Sequence, residues 1–170
     1  MPGGGISNLG LARTLALLVP AALLAGAWSF QIWGGLHPCE MCWWQRYAHL
    51  AAVALALIAF ATAQRPGLGR TFVILAALAI LTSGGIGVYH AGVEAKIFPG
   101  ITECTRAVTH ATSTDDFMRQ ILEAPVVGCG DVQWRDPVLG ISMAGWNAIL
   151  STGFALLILW LTLRRPRAAA

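Results

Sequence analysis

Four long stretches of this sequence contain no Asp, Glu, Lys or Arg, at residues 14–36, 47–64, 71–93 and 137–163. Each is close to the ~20 residues with which a helix crosses the hydrocarbon core of a bilayer. Backbone groups in that core can be satisfied only within helices or closed barrels. With 56% hydrophobic and 11% charged residues, the chain is also more apolar than an average soluble domain. The sequence therefore predicts an all-α, transmembrane four-helix bundle.

The predicted bundle is a single membrane domain over residues 1–170. We place its spans at about 12–34, 44–64, 71–92 and 142–163, joined by short cytoplasmic segments and by outer loops at about 35–43 and 93–141. The second outer loop is much longer than the ~12–15 residues beyond which an unstructured connection usually has a function. It is the expected docking surface for a protein partner.

One part of the second outer loop has a helical pattern. Thr114 is followed by two acids and then by apolar residues at helical spacing, from Phe117 to Leu122. A hydroxyl N-cap and acids in the first turn favour the start of a helix. We expect a short amphipathic helix on the membrane surface.

Cations are distributed unequally between the two sides of the predicted bundle. The N-terminal segment, the turn between the second and third spans and the C-terminal tail carry no acid but hold Arg13, Arg65, Arg70, Arg164, Arg165 and Arg167. The two outer loops and their borders carry the other five cations and all eight acids. Because basic segments favour the cytoplasmic side, both termini are expected in the cytoplasm.

The first span has an alternative interpretation. Residues 15–27 also resemble a signal peptide with a small-residue cleavage site. The apolar run continues to Trp33, however, which favours a retained helix. The cysteines lie outside in either case.

All four cysteines, Cys39, Cys42, Cys104 and Cys129, fall on the predicted outer side, where an oxidising compartment allows disulfides to persist. Four cysteines allow three pairings, and local proximity favours Cys39 with Cys42 and Cys104 with Cys129. Two pairs on one side of a membrane could exchange disulfides in series.

Cys39 and Cys42 form a C-x-x-C motif where the chain enters the second span. A helix N-terminus and a nearby cation both favour a thiolate, and Arg46 follows Cys42 by one helical turn. Gln45 and Arg46 could also donate hydrogen bonds to a ligand beside that thiolate. A lone C-x-x-C can instead be a packing disulfide or half of a zinc site. Because the sequence has no second C-x-x-C, we expect redox chemistry and no metal.

These motifs together resemble one known family. Residues 38–47 read Pro-Cys-Glu-Met-Cys-Trp-Trp-Gln-Arg-Tyr, two further cysteines share one loop, and Gln133-Trp134 through Gly145-Trp146-Asn147 lead into the fourth span. This pattern looks like the disulfide bond formation protein B family, DsbB, and the resemblance covers most of the chain. It implies a bacterial inner-membrane location with the cysteines in the periplasm.

By this resemblance the chain is expected to be a quinone-dependent protein-dithiol oxidoreductase. Cys104 and Cys129 would oxidise a DsbA-like periplasmic partner, with Cys104 forming the mixed disulfide. Cys39 and Cys42 would pass the electrons to ubiquinone or menaquinone, and Arg46 would contact the quinone. Apart from this partner and membrane lipid, we expect a monomer that binds no nucleic acid.

His90 lies at the outer end of the third span, and Glu94 follows it on the same helical face. Both could hydrogen-bond a quinone carbonyl or pass protons to the quinol, or they could merely cap the span at the interface. We assign no role to His37, His49 or His110, because nothing in their spacing requires a ligand. Six tryptophans are expected mainly in an interfacial belt.

Three other interpretations stay open. Relatives of vitamin K epoxide reductase are also quinone-linked four-helix thiol enzymes, but their helix-associated C-x-x-C follows the loop cysteines, whereas here it precedes them. A structural membrane protein could use two disulfides only to staple its loops. A specialised homologue could serve one dedicated substrate or run in reverse, because reduction potentials determine the direction of exchange.

Overall fold

The chain folds into four long helices. A computed structural model describes residues 7–101, 113–115, 118 and 127–164. The helices are α1 (Asn8–Ile32), α2 (Glu40–Ala61), α3 (Pro66–Glu94) and α4 (Met143–Leu163). Across these described ranges no β-strand forms, apart from an isolated bridge between Arg135 and Ser142. The predicted all-α fold is confirmed.

All four helices are long and apolar enough to cross a membrane, and they overlap the four predicted spans. Their outer faces expose large apolar side chains such as Leu18, Leu57, Val88 and Leu156. Exposed apolar surface on this scale marks contact with an apolar surrounding rather than with water. The protein is therefore a multi-pass membrane protein.

Small side chains line the inner faces of the helices. The buried core contains Ala12, Ala16, Ala52, Ala56, Ala59, Val73, Ala76, Ala77, Ile80, Ala155, Ile158 and Leu161. Small residues let helices approach closely in lipid, where van der Waals contact rather than the hydrophobic effect drives their association. The interfaces of α3 with α2 and α4 are the most extensive, so α3 is the central helix of the bundle.

Two glycines allow α3 to approach α4. A Cβ at Gly84 would lie 2.5 Å from Oγ1 of Thr152, and a Cβ at Gly87 would lie 2.9 Å from the backbone nitrogen of Ala148. A larger residue at either position would therefore separate the two helices. This close contact also brings Ser83 within hydrogen-bond distance of Asn147.

The first turn of α2 contains the C-x-x-C motif. Cys39 is the N-cap, in an extended conformation, and its sulfur accepts a hydrogen bond from the backbone nitrogen of Cys42 over 3.3 Å. The helix begins at Glu40, before the span predicted from residue 44, because the capped turn continues the helix beyond the charge-free stretch. Ser142 caps α4 in the same way, accepting from the nitrogen of Gly145.

The second outer loop is described only in part. The amphipathic helix predicted from Thr114 to Leu122 falls largely outside the described residues, and so does Cys104. Nearer to α4, the Asp136 carboxylate accepts hydrogen bonds from the backbone nitrogens of Val138, Leu139 and Ile141. These bonds, led by that from Leu139, lower the pKa of Asp136 and shape the turn that leads into α4.

Candidate functional site

Cys39 and Cys42 lie together at the N-terminal end of α2. Their sulfur atoms are 2.7 Å apart, so a disulfide between them requires little movement of the helix. Cys39 is buried, whereas Cys42 is half-buried. Both sulfurs lie at the positive end of the helix dipole, which favours negative charge.

The segment after residue 126 brings Cys129 onto this pair. Cys129 is 1% exposed and packs in one apolar cluster with Cys39, Met41 and Val93. Hydrogen bonding of Cys39 with the thiols of Cys129 and Cys42, together with burial, raises the pKa of Cys39. Cys39 therefore contacts both of the other thiols, and we call Cys39, Cys42 and Cys129 the thiol cluster.

His90 of α3 lies against the thiol cluster. Its Nε2 is 3.1 Å from the carbonyl oxygen of Cys129 and 3.6 Å from the sulfur of Cys39. A carbonyl oxygen only accepts hydrogen bonds, so Nε2 carries the proton and donates it toward the cluster. Glu94 lies beside His90, with 3.9 Å between Oε1 and Nε2, and accepts a hydrogen bond from the Ser142 hydroxyl.

Two side-chain amides, those of Asn147 and Gln45, hold His90 in this tautomer. Asn147 of α4 donates from Nδ2 to the carbonyl oxygen of Ser83 over 3.1 Å, which fixes the orientation of its amide. The same Nδ2 donates to Oε1 of Gln45 over 2.8 Å. Gln45 must then use its Nε2 to donate to Nδ1 of His90, at 2.9 Å. One hydrogen-bonded chain therefore connects α4, α2 and α3 beneath the thiol cluster.

His49 forms the other branch of this network. Its Nε2 lies 2.9 Å from Oδ1 of Asn147 and 2.9 Å from Oγ of Ser83. The side chain is only 3% exposed, and within the described part of the chain its Nδ1 has no hydrogen-bond partner. Neither His49 nor Asn147 was predicted to belong to the site.

Arg46 is buried between α1 and α2 and is 7% exposed. Its guanidinium donates to Oε1 of Gln31 over 2.5 Å and to the carbonyl oxygen of Ala27 over 3.2 Å. The Cζ atom also lies 5.0 Å from the centre of the Trp43 ring. These contacts hold one positive charge in a fixed position near Cys42, with which it interacts electrostatically.

A cavity of about 350 Å³ adjoins these residues. It contains six of the predicted site residues in its wall, Cys39, Cys42, Gln45, Arg46, His90 and Glu94. The unpredicted His49 and Asn147, and the two tryptophans Trp134 and Trp146, also line it. Cys129 does not line the cavity itself but adjoins two residues that do, Cys39 and His90. The remaining predicted residue, Cys104, lies outside the described residues.

An apolar groove of about 260 Å³ runs between α1 and α4. Its walls are Leu15, Leu18, Val19, Ala22, Leu23, Leu150 and Phe154. Ala22 and Leu23 also line the cavity, so the two spaces are neighbours. The groove could hold a long apolar group attached to a ligand in the cavity.

The thiols and His90 could in principle bind a metal. Ligand atoms of Cys39, Cys42 and His90 lie within 4.8 Å of one another. A structural zinc site needs four ligands, and both ring nitrogens of His90 already have hydrogen-bond partners in Gln45 and Cys129. A metal would have to displace one of these bonds, so the arrangement fits a hydrogen-bonded thiol site better than a metal centre.

The two outer loops are tied together beside the cluster. The backbone nitrogen of His37 donates to Oε1 of Gln133 over 3.1 Å, and Nε2 of Gln133 donates back to the His37 carbonyl oxygen over 2.6 Å. Lys96 donates to the carbonyl oxygen of Gly130 over 2.9 Å. These bonds hold the Cys129 segment over Cys39, and no sequence pattern indicated them.

The fold and the site define a multi-pass membrane protein whose buried thiol cluster adjoins a largely apolar cavity. A family model described as disulfide bond formation protein DsbB matches residues 10–161, most of the chain. The chain therefore belongs to the DsbB family, as its motifs predicted, and is a disulfide-forming membrane oxidoreductase.

Curated relatives agree with this assignment. The chain is 30% identical over 156 residues to disulfide bond formation protein B of Marinobacter nauticus. This alignment covers 89% of this chain and 90% of the relative. It is 32% identical over 159 residues to disulfide bond formation protein B 2 of Pseudomonas syringae pv. syringae, covering 88% and 89%. The chain is also 30% identical over 146 residues to disulfide bond formation protein B of Xanthomonas oryzae pv. oryzae, covering 84% of this chain and 83% of the relative. No solved structure matches the chain.

Proposed function

We propose that the protein re-oxidises a periplasmic dithiol protein similar to DsbA and passes the electrons through its cysteines to ubiquinone or menaquinone. The observation that carries this proposal is that Cys39 lies 2.7 Å from the sulfur of Cys42 and packs with Cys129 in one buried cluster at the wall of the cavity. A disulfide that only staples a loop needs one partner for each cysteine. A thiol in contact with two others is arranged for exchange.

The first exchange takes place in the second outer loop. A thiolate of the reduced partner attacks Cys104 of a Cys104–Cys129 disulfide, forming a mixed disulfide and releasing Cys129 as a thiolate. The second thiol of the partner then displaces Cys104. The partner leaves oxidised, and Cys104 and Cys129 have gained two electrons and two protons.

The geometry of the thiol cluster supports a second exchange. Cys129 attacks the Cys39 sulfur of a Cys39–Cys42 disulfide, because Cys39 is the sulfur that it contacts. The Cys39–Cys42 bond breaks and Cys42 becomes a thiolate at the cavity. Cys104 then displaces Cys39 from Cys129, which restores the Cys104–Cys129 disulfide and leaves the C-x-x-C pair reduced.

Two side chains stabilise the negative charge in this step. The Nε2–H of His90 points toward the Cys39 sulfur, and the Arg46 guanidinium lies near Cys42. Because Gln31 and the Ala27 carbonyl already hold Arg46 in place, its charge needs no reorganisation when the thiolate forms. Charged donors fixed in advance are more effective than mobile ones.

The residues around the cavity fit a quinone. One wall is polar and carries Arg46, His90 and Gln45, the neighbouring groove is apolar, and the buried Nδ1 of His49 lacks a partner within the described chain. A quinone held there would supply a two-electron, two-proton acceptor for Cys39 and Cys42, whose disulfide would then form again. Arg46 would hold the polar head beside Cys42, and Glu94 and His90 would hold protons at the cavity wall.

The proposed orientation places the thiol cluster on the periplasmic side of a bacterial inner membrane. The opposite end of the bundle carries Arg13, Arg65, Arg70 and Arg164, and basic segments favour the cytoplasm. Both termini would then be cytoplasmic. We propose that the unit is a monomer, because the thiol cluster and the cavity lie within one chain.

Anaerobic mixing of the purified protein with reduced DsbA and decylubiquinone tests this function, with the quinone absorbance as the readout. We expect catalytic loss of quinone by the wild type, none by Cys42→Ser, and a rate at least about tenfold lower for Arg46→Ala, since one preorganised charged donor commonly has such an effect. Arg164→Ala is the matched control, because Arg164 stacks on Trp160 at the other end of the bundle. If the wild type reduces no quinone with any dithiol partner, the better interpretation is a structural membrane protein whose disulfides only link its loops.

A further inference from the structure

His49 has a buried ring nitrogen that nothing in the described chain satisfies. The side chain is 3% exposed and lines the cavity, and its Nδ1 has no hydrogen-bond partner there. Buried polar atoms are nearly always paired, and leaving one unpaired is unfavourable. Because the His49 residue lines the cavity, a ligand bound there is the candidate for the missing partner.

The hydrogen bonds of the network determine whether Nδ1 donates or accepts. The amide of Asn147 is oriented by the Ser83 carbonyl, so Oδ1 of Asn147 faces Nε2 of His49 at 2.9 Å. Because an amide oxygen only accepts, Nε2 carries the proton. The hydroxyl of Ser83 donates to the Gln45 carbonyl oxygen and can likewise only accept from Nε2. Nδ1 of neutral His49 is therefore a bare lone pair, and its missing partner is a hydrogen-bond donor.

Two polar groups of the cavity wall beside the C-x-x-C pair are donors, whereas the carboxylates of Glu94 and Asp131, which also line the cavity, are acceptors. Arg46 is a donor, and Nε2 of His90 carries a proton. The α-helical rise of 1.5 Å per residue places His49 about 4–5 Å deeper along α2 than Arg46. A ligand in the cavity therefore meets donors near Cys42 and an acceptor further into the membrane.

We propose that Nδ1 of His49 accepts a hydrogen bond from a hydroxyl of the quinol, so that the site binds the reduced form of its ligand more tightly than the oxidised form. This inference rests on the proposed function, because it takes the ligand to be a quinone. An oxidised quinone has carbonyl oxygens and no hydroxyl, so it cannot donate to Nδ1. A quinol has two hydroxyls. Tighter binding of quinol favours electron transfer from the C-x-x-C pair to the ligand.

Two substitutions separate this contact from the rest of the network. In His49→Gln the side-chain amide reaches the place of Nε2 and can keep the bond to Asn147, but no atom replaces Nδ1. In His49→Asn the shorter amide can present its oxygen close to the place of Nδ1. If the lone pair is what matters, the asparagine variant retains the preference for quinol and the glutamine variant loses it.

The measurement is the affinity for decylubiquinone and for decylubiquinol under anaerobic conditions. It uses the full chain with Cys42→Ser, which prevents electron transfer, and follows quenching of the fluorescence of Trp134 and Trp146, which line the cavity. We expect His49→Gln to weaken quinol binding about tenfold, the effect of one lost buried hydrogen bond, and to change quinone binding less than about twofold. An unchanged ratio of the two affinities in His49→Gln, or equal losses in the asparagine and glutamine variants, overturns the proposal.

A spectroscopic measurement tests the same contact without a substitution at His49. In protein labelled with ¹⁵N-histidine, the Nδ1 resonance of His49 should have the position of an unprotonated ring nitrogen with decylubiquinone bound. It should move toward the position of a protonated nitrogen with decylubiquinol. If both forms bind and the resonance does not move, the inference about His49 fails alone. If neither form binds to protein with His49 intact, the proposed function fails with it.

Discussion

Asn147 of α4 donates from Nδ2 to Oε1 of Gln45 on α2 over 2.8 Å, and this bond determines how His90 faces the thiol cluster. With its oxygen occupied, Gln45 donates to Nδ1 of His90, and His90 then directs its Nε2–H toward Cys129 and Cys39. Asn147 also accepts from Nε2 of His49. A single amide, that of Asn147, thus orients two histidines in the wall of one cavity.

We predict that Asn147→Leu both destabilises the protein and slows electron transfer. The substitution leaves Gln45, Ser83 and His49 without their partner, and an unsatisfied buried polar group costs about 1–3 kcal/mol. Thermal unfolding in detergent measures the loss of stability, and the rate at which the reduced protein consumes quinone measures the functional effect. Ser151→Ala is the milder control, because it removes only the hydrogen bond that the Ser151 hydroxyl donates to Oδ1 of Asn147 and leaves the Asn147 amide in place. Wild-type stability and rate in Asn147→Leu would show that the amide network does not position the site.

We predict that Cys39 of the reduced protein reacts with iodoacetamide only at higher pH than an ordinary thiol. Hydrogen bonding with Cys129 and Cys42, and burial, raise the pKa of Cys39, so its reactive thiolate appears above the usual value of about 8.5. Mass spectrometry after timed labelling gives the pH profile.

The variant Cys129→Ala distinguishes the effect of the hydrogen bond on the Cys39 pKa from the effect of reagent access to the Cys39 thiol. Removing Cys129 removes the largest contribution to the raised pKa, so the midpoint of the Cys39 labelling profile should move to lower pH. A mere gain in access would increase labelling at every pH without moving the midpoint. If the midpoint stays where it was, Cys129 does not influence the Cys39 thiol, and the proposed exchange between them loses its structural basis.

Close packing of α3 on α4 provides a prediction with a matched control. Gly84 and Gly85 are neighbours, but a Cβ at Gly84 would collide with Thr152, whereas a Cβ at Gly85 would contact nothing within 4 Å. Gly84→Ala should therefore destabilise the protein by about 1–3 kcal/mol, as overpacking does, and Gly85→Ala should not. Thermal unfolding of the two variants compares them directly. Equal stability of both would mean that the helices are not in contact at Gly84.

The fold could be predicted from local features, because a charge-free run of spanning length leaves the chain few alternatives to a transmembrane helix. The sequence also pointed to Arg46 and Gln45, which follow Cys42 by about one helical turn, and to His90 and Glu94, which share a face. The structure places all four in the wall of one cavity, and their roles in catalysis remain predictions.

The rest of the site depends on contacts between distant segments. Asn147 meets Gln45 only because Gly84 and Gly87 let α4 approach α3, and no spacing along the chain encodes that distance. His49 follows Cys42 by two helical turns, so the sequence predicted that both residues lie on the same face of the helix. Its unpaired nitrogen became evident only when the partners of Nε2 were known.

The central claim is that the C-x-x-C pair gives its electrons to a quinone, and a single turnover without any partner protein tests it most directly. The fully reduced protein is mixed anaerobically with one equivalent of decylubiquinone, and quinone absorbance and free thiols are followed together. We predict that two thiols disappear for each quinone reduced. The double variant Cys104→Ser with Cys129→Ser, which blocks the exchange between the two pairs, should keep the first turnover, and its new disulfide should join Cys39 to Cys42. Quinone reduction that persists in the double variant Cys39→Ser with Cys42→Ser, or no reduction by the wild type, would contradict the account.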